Sequence, residues 1–414
     1  MGLINKMFEP YDGPALPKSK LVVLGIQHTF TMFGATVLVP ILTGLNIAVA
    51  LFMAGLCTLL FHVITKGKVP IFLGSSFAFI APVIIVSEQY GRDYALGGVV
   101  VAGMVYIVVS LLVYIFGVKA VMSFFPPIVT GPIIIIIGLM LAPVAISQAG
   151  DNWGLAACSF IVVAAVSLFA KGFIRMLPVL CGLVAGYVIA VLTGNVNFAP
   201  VVEAQVFGLP DFTMAKFAAG PILIIAPVAI ATVVEHIGDI VAINATCEKE
   251  FDKNPGLHRT LLGDGVCSCV SAMFGGPANT TYSENTGVLV LTRAFNPAVM
   301  RIAACFAILL GLIPKLSSVI ASIPTGVIGG ISIVLFGMIA AVGMRTLVEN
   351  QVNMSNPRNL LIAAVTLVLG LGGAVLPIAL GAVSFELSGV ALAAIVGIIL
   401  NKALPEKLGS TQAK

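Results

Sequence analysis

The chain has 414 residues, of which 59% are hydrophobic and only 9% charged, with a formal net charge of +4. A soluble domain carries about a quarter charged residues, so this composition excludes a soluble enzyme and defines an integral membrane protein. The small positive charge follows from topology and does not suggest a nucleic-acid partner.

A bilayer core takes ~20 apolar residues per helix, and the length accommodates roughly a dozen or more spans with no polar stretch left for a separate soluble domain. The first twenty residues, MGLINKMFEPYDGPALPKSK, are mixed and polar, without an apolar signal region or cleavage site, so the first apolar run is expected to stay as a span. Candidate spans then follow at 21–43, 46–65, 71–87, 95–116, 121–146, 155–170, 174–193, 218–246, 258–275, 279–293, 296–313, 324–343, 358–376 and 384–402. With the N-terminus inside, 18 of the 21 basic residues fall in inner segments, and only Arg92, Lys216 and Lys315 lie outside. This asymmetry places both termini on the cytoplasmic side of the cell membrane.

The expected fold is therefore an all-α polytopic membrane protein with 14 transmembrane segments. Splitting them into two sevens gives halves of opposite orientation, which is the architecture of inverted-repeat carriers. The segments PPIVTGPIIIIIGLMLA (126–142) and PTGVIGGISIVLFGMIA (324–340) align without gaps at an offset of 198, as the fifth spans of their halves. The third span of each half is short and broken by Gly, Pro and hydroxyl residues: FLGSSFAFIAPVIIVS after Pro70, and GGPANTTYSENTGVLVL from Gly275. Paired segments of this kind point to a substrate site at the midplane, where brief extended β segments are tolerated only beside protein or a polar cavity.

Seven cysteines (Cys57, Cys158, Cys181, Cys247, Cys267, Cys269 and Cys305) are scattered without a CxxC pair. They read as small hydrophobes, with neither metal ligation nor disulfides expected.

Of the seventeen acidic residues, Glu235, Asp239, Asp264 and Glu284 fall well inside candidate spans, where a carboxylate is costly unless paired, protonated or facing a cavity. Asp264, close to Arg259 near a cytoplasmic end, reads as structural. Glu235 and Asp239 are four residues apart in VVEHIGDIVAIN, hence on one helix face. Carboxylates that close in a low dielectric resist joint ionisation, which equips them to carry a coupling proton. His236 sits roughly 100° further round and reads equally as a packing residue or as part of the proton machinery. Glu284 follows Ser283 where the polar run turns into a helix, and a helix start exposes unpaired N–H groups. Backbone donors beside carboxylate acceptors suit a small, uncharged planar solute with alternating N–H and C=O groups. HExxH, GxSxG and GxxxxGK[ST] are all absent from the sequence, so no enzymatic activity is expected.

ENTGVLVLTR, Glu284 to Arg293, matches in full the signature of the nucleobase/ascorbate transporter family, and the chain resembles that family along nearly its whole length. GIQHTFTMFGATVLVP, KVPIFLGSSFAF, VEHIGD and NPGLHRTLLGDG carry the similarity further. Glu in the first position of the signature resembles the bacterial uracil permeases, whereas purine carriers of the family tend to have Gln there. The resemblance implies a uracil:proton symporter with no cofactor beyond the coupling proton; a xanthine or urate carrier is the alternative. It also implies spans one to four (21–116) and eight to eleven (218–315) as a core domain. Spans five to seven (117–195) and twelve to fourteen (316–403) would form a gate domain that makes a homodimer. Residues 1–20, 196–217 and 404–414 would be the cytoplasmic N-terminal segment, an extracytoplasmic loop and a cytoplasmic tail.

Carried over by position, Glu235 and Glu284 would bind the uracil ring, and the backbone amides of Phe77 and Ser283 would contact its carbonyl oxygens. Ala35 and Tyr282 would neighbour the ligand. Asn285, Thr286 and Gly287 of the signature and the Gln27–His28 pair would support the site. Where a well-known uracil carrier of the family has a second His one turn after the key Glu, this chain has Asp239. Proton coupling is therefore expected to involve Glu235, Asp239 and His236.

Overall fold

A computed structural model describes residues 16–380 and 383–405. Most of the expected 1–20 and 404–414 segments, including Lys6, Lys407 and Lys414 of the charge count, lie outside the described residues. The first elements are α1 (Lys18–Thr43), α2 (Ile47–Ile64), the short strand β1 (Leu73–Ser75), α3 (Ile80–Tyr90) and α4 (Arg92–Phe116). Next come α5 (Pro127–Leu139), α6 (Ala142–Gly150), α7 (Trp153–Phe169) and α8 (Pro178–Leu192). The second half contains α9 (Ala219–Ile225), α10 (Val228–Cys247), α11 (Leu257–Met273), β2 (Asn279–Thr281), α12 (Ser283–Thr292), α13 (Ala298–Gly311) and α14 (Pro314–Ala321). It closes with α15 (Thr325–Glu349), α16 (Pro357–Leu371), β3 (Val375–Leu380), β4 (Val383–Ser388) and α17 (Gly389–Ala403).

Among the described residues, six helical runs are long and apolar enough to cross a bilayer, α13 with α14 makes a seventh bent by 79°, and five apolar helices are shorter. Beyond the two interrupted segments, several apolar runs are broken or shortened in the fold. The run expected at 121–146 begins with a separate short helix (Val118–Met122), and α5 starts only after Pro126, with Pro127 in its first turn, where the fixed φ of proline suits a helix start. The 218–246 run is interrupted at Pro227, between α9 and α10. The 358–376 run ends at Leu371, followed by Gly373 at a φ of 69°, and β3 pairs antiparallel with β4, which delays the last helix to Gly389.

Two packing groups emerge from the helix contacts. In one, α13 packs on α1 and α2, α11 on α4 and α2, and α9 on α4. In the other, α15 packs on α5, α6 and α7, α8 on α7, and α16 on α5 and α17. Contacts of α1 with α8 and of α10 with α5 and α17 link the two. The two segments that align in sequence form α5 and α15, each entered from a proline, and they lie against each other. A Cβ added at Gly131 would approach the Gly343 carbonyl, and one at Gly343 the Gly131 carbonyl. Small residues at such a crossing let the backbones meet.

An extended segment over 204–217 runs across one end of the first group. Lys216 pairs with Asp93 at 2.8 Å, the Ala215 N–H donates to the Met273 carbonyl, and the Lys315 N–H donates to the Gln205 carbonyl. Phe212 makes edge contacts with Phe52 and Phe274.

Candidate functional site

The short strands β1 and β2 pair antiparallel, with Leu73 opposite Thr281, Gly74 opposite Thr280 and Ser75 opposite Asn279. The Ser76 N–H donates to the Ala278 carbonyl and the Tyr282 N–H to the Phe72 carbonyl, extending the ladder by one bond at each end. A two-stranded sheet among apolar helices leaves its outer edges unpaired, which is costly away from water. Hydroxyls from neighbouring helices close them. Thr58 Oγ1 on α2 accepts from the Leu73 N–H at 2.9 Å, and Ser268 Oγ on α11 accepts from the Asn279 N–H at 3.1 Å. Ser268 also donates to the Asn279 carbonyl at 3.0 Å.

Each strand leads directly into a helix start. Ser76 is extended and Phe77 opens the turn before α3; Tyr282 is extended and Ser283 opens α12. The N–H groups of a first helical turn have no partner within the helix, and the positive end of each macrodipole faces the strand pair. Phe77 and Ser283, whose backbone amides the resemblance singles out, both sit at these starts. Phe77 is half-buried and Ser283 exposed.

Tyr282 fixes the crossing. Its hydroxyl donates to the Ser75 carbonyl at 3.1 Å and accepts from Thr36 Oγ1 at 3.3 Å, while Ser75 Oγ donates to the Thr36 carbonyl at 3.0 Å. The Tyr282 ring lies so close to Gly74 that a Cβ there would collide with its Cζ and Cε2. Ala35, buried next to Thr36 on α1, is thereby held beside the strand pair.

Asp239, on α10, joins this framework. It accepts from Thr281 Oγ1 at 2.6 Å and from Ser283 Oγ at 3.1 Å, so α10, β2 and α12 are tied through one carboxylate. Glu235 lies within electrostatic reach of Asp239, Glu284 and Asp264. The Glu235, Ser283 and Glu284 side chains are solvent-accessible, Asp239 is half-buried, and an added Cβ at Gly238 would meet open space. Solvent-accessible carboxylates where α10 packs on α12 and on the turn at Phe77 define a recess beside the two helix starts. Ser76 Oγ, Asn279 Nδ2 and Thr280 Oγ1 are buried without a hydrogen-bond partner among the described residues.

His236 turns the other way. Its Nδ1 lies 2.8 Å from Asp264 Oδ2 and its Nε2 lies 2.9 Å from Thr260 Oγ1, with all three residues fully buried. The sequence left His236 open between packing and the proton machinery and read Asp264 as structural; the fold joins His236 to Asp264 across α10 and α11. His236 follows Glu235 directly, and residues i and i+1 do not share a helix face, so its ring turns toward α11 and away from the Glu235 side of α10.

Asn285 Nδ2 donates to His28 Nδ1 and to the His28 carbonyl, both at 3.1 Å, linking the family signature to α1. Gln27 is half-buried, and its carbonyl accepts from Thr31 Oγ1. Thr286 Oγ1 donates to the Tyr282 carbonyl at 3.4 Å, and Gly287 lies near Met176 in the turn before α8. Sequence reasoning missed Thr36, Thr58, Ser268 and Thr281. Only Thr281 carried a signal, as a member of the same polar run as Ser283. Among the described residues no cluster of three or more His, Cys, Asp or Glu side chains forms a metal site.

The array is a helical polytopic membrane-type fold in which two helix starts meet at a polar strand pair. The fold is shared with the transmembrane domain of the cyanobacterial bicarbonate transporter BicA, at a TM-score of 0.61 and 16% identity, covering 94% of this chain and 98% of that one. The sequence pattern of the Permease family, that of the nucleobase/ascorbate transporters, matches residues 19–379, and the chain belongs to this family. It is 44% identical to the "Probable uracil permease" of Pasteurella multocida, with 94% of each chain covered. It is 41% identical to the "Uracil permease" of Bacillus subtilis, covering 93% of this chain and 92% of that protein.

Proposed function

We propose that the protein is a uracil:proton symporter of the cell membrane. The observation that carries this reading is that Glu235, Asp239 and Glu284 lie within electrostatic reach of one another on α10 and α12, the helices that pack at the starts opened by Phe77 and Ser283. Uracil offers ring N–H groups to the carboxylates and carbonyl oxygens to the amides, so it is held by hydrogen bonds without a net charge. Tyr282 and Ala35 flank the ring. Full-length similarity to proteins named uracil permeases supports this substrate over a purine. Several carboxylates in one recess disfavour an anionic solute on Coulomb grounds.

Protonation within Glu235 and Asp239 neutralises the recess as uracil enters, and its release follows on the cytoplasmic side, where both termini lie. The two packing groups of helices support a division into a core (21–116 and 218–315) and a gate (117–195 and 316–403). Alternating access is then movement of the core against a gate dimer embedded in lipid. The pairing of α5 with α15 supports fourteen spans in two inverted repeats. Beyond the proton no cofactor takes part, and no bond of the solute is made or broken.

Thermal unfolding of the purified protein with uracil or xanthine tests the substrate, since a ligand stabilises the state it binds. Uracil raises the midpoint, and Glu284→Ala abolishes the response, while Glu235→Gln impairs uptake driven by a proton gradient. Stabilisation by xanthine alone identifies a purine carrier instead. If both variants accumulate uracil like the parent, the residue assignment is wrong.

A further inference from the structure

We propose that His236 and Asp264, bridged to Thr260, form a buried proton-binding pair that works with the carboxylates of the recess. The inference deepens the proton-coupled reading above and rests on it for the direction of transport. The geometry itself argues for an exchangeable proton. Thr260 Oγ1 lies 3.0 Å from the Leu257 carbonyl and 2.9 Å from His236 Nε2, while His236 Nδ1 lies 2.8 Å from Asp264 Oδ2.

Two proton counts satisfy these three contacts. In the first, the Thr260 hydroxyl donates to the Leu257 carbonyl and accepts from the His236 Nε2–H. A second proton must then lie between Nδ1 and Asp264, because two lone pairs do not approach this closely, and the pair is neutral overall. In the second, the Thr260 hydroxyl swings to donate to Nε2. The remaining ring proton sits on Nδ1 and bonds the Asp264 carboxylate, and the pair carries one negative charge. The two states differ by one proton and one hydroxyl rotation, with no movement of heavy atoms. An ordinary buried His–Asp contact lacks such a rotor, and its cost on losing a proton is correspondingly larger.

The remaining oxygen, Asp264 Oδ1, is buried with no hydrogen-bond partner among the described residues. One carboxylate oxygen is thus bonded to His236 and the other is left to its charged and polar neighbours. Tyr106 from α4, Glu235 and Asp239 from the same helix, and Cys267 from α11 with Cys57 of α2 behind it lie within electrostatic reach of the pair. Asp264 acts electrostatically on Glu235, and His236 on Asp239. The pair therefore senses the charge of the recess through one turn of α10, and any proton gained at Glu235 or Asp239 changes its own balance.

Two measurements on the full-length protein test this. The chain has four histidines, so ring ¹⁵N resonances of histidine-labelled protein are few, and His236 is assigned by their loss in His236→Gln. In the absence of solute, His236 is expected to pass between two ring forms as pH is raised from about 5 to 9, and Glu235→Gln to move that transition by about one pH unit, which corresponds to an interaction of roughly 1.4 kcal/mol. A single ring form throughout, or a transition indifferent to Glu235→Gln, overturns the proposal whatever the solute proves to be.

The second measurement is uracil accumulation in proteoliposomes under a pH gradient, read beside uracil-induced thermal stabilisation. Thr260→Val removes the rotor and is expected to cut gradient-driven accumulation at least tenfold while stabilisation by uracil persists; Thr260→Ser restores it. Gradient-driven accumulation by Thr260→Val at the parental level reduces the pair to a packing contact. If the parent shows no response to uracil, the substrate reading falls, and the resonance experiment alone decides the pair.

Discussion

Thr281 Oγ1 donates a 2.6 Å hydrogen bond to the Asp239 carboxylate, which binds the middle of α10 to the last residue of β2. A hydrogen bond to a charged group contributes about 1.5–3 kcal/mol, and here it also orients the carboxylate toward Ser283. Thr281→Val keeps the shape and removes the donor. The expected result is a lower unfolding midpoint and reduced uracil uptake, with Thr281→Ser close to the parent in both assays.

Gly74 and Tyr282 make a steric prediction. A methyl group at Gly74 has to displace the Tyr282 ring, and overpacking of this kind costs about 1–3 kcal/mol. Gly74→Ala should therefore lower stability and weaken the uracil response together. Tyr282→Phe, which loses only the hydroxyl bonds to Ser75 and Thr36, should cost about 1 kcal/mol. Thermal unfolding of both variants orders them, with Gly74→Ala the more damaged.

Thr58 and Ser268 cover opposite edges of the strand pair. Removing either hydroxyl leaves a buried backbone N–H unpaired, at a cost of about 1–3 kcal/mol. Thr58→Val and Ser268→Ala are each expected to destabilise by that amount. Hydrogen exchange should locate the loosening at residues 72–76 and 278–282 rather than across the molecule.

The Lys216–Asp93 pair is exposed, and Asp93 raises the lysine above its ordinary range through a hydrogen bond and its charge. A raised lysine contributes stability below its unfolded value, near 10.4, and loses it only as pH rises through the still higher folded value. Lys216→Met should therefore change the unfolding midpoint by the same small amount at pH 6 and pH 9, and high salt should erase the difference. Phe212→Ala, which removes edge contacts to Phe52 and Phe274, should cost more, because exposed ion pairs are weak and edge-to-face aromatic pairs contribute about 0.5–1.5 kcal/mol beyond area burial.

Much of the candidate site was legible in the chain. Glu235, Asp239 and Glu284 stand out because ionisable groups are rare in apolar runs, and the two interrupted segments mark the region of Ser283, while Phe77 was singled out only by the family resemblance. The His236–Asp264 pair was not legible. Its members are 28 residues apart on separate helices, and nothing local to either residue encodes which way its helix is turned. The same holds for Thr58 and Ser268, ordinary hydroxyl residues in apolar helices until two strand edges arrive beside them.

The sequence alone determined the class of protein, the succession of apolar runs and the two interrupted segments. Each of these follows from the local cost of placing polar or charged groups in hydrocarbon, which is a property of composition along a short window. The tertiary structure decided that β1 and β2 pair in one register, that Asp239 serves β2 while His236 serves Asp264, and which hydroxyls close the sheet. Those outcomes depend on helix rotation and on contacts between distant segments, such as that between Thr36 and Tyr282, 246 residues apart. Packing fixes them, and packing is a relation among segments that no single stretch of sequence contains.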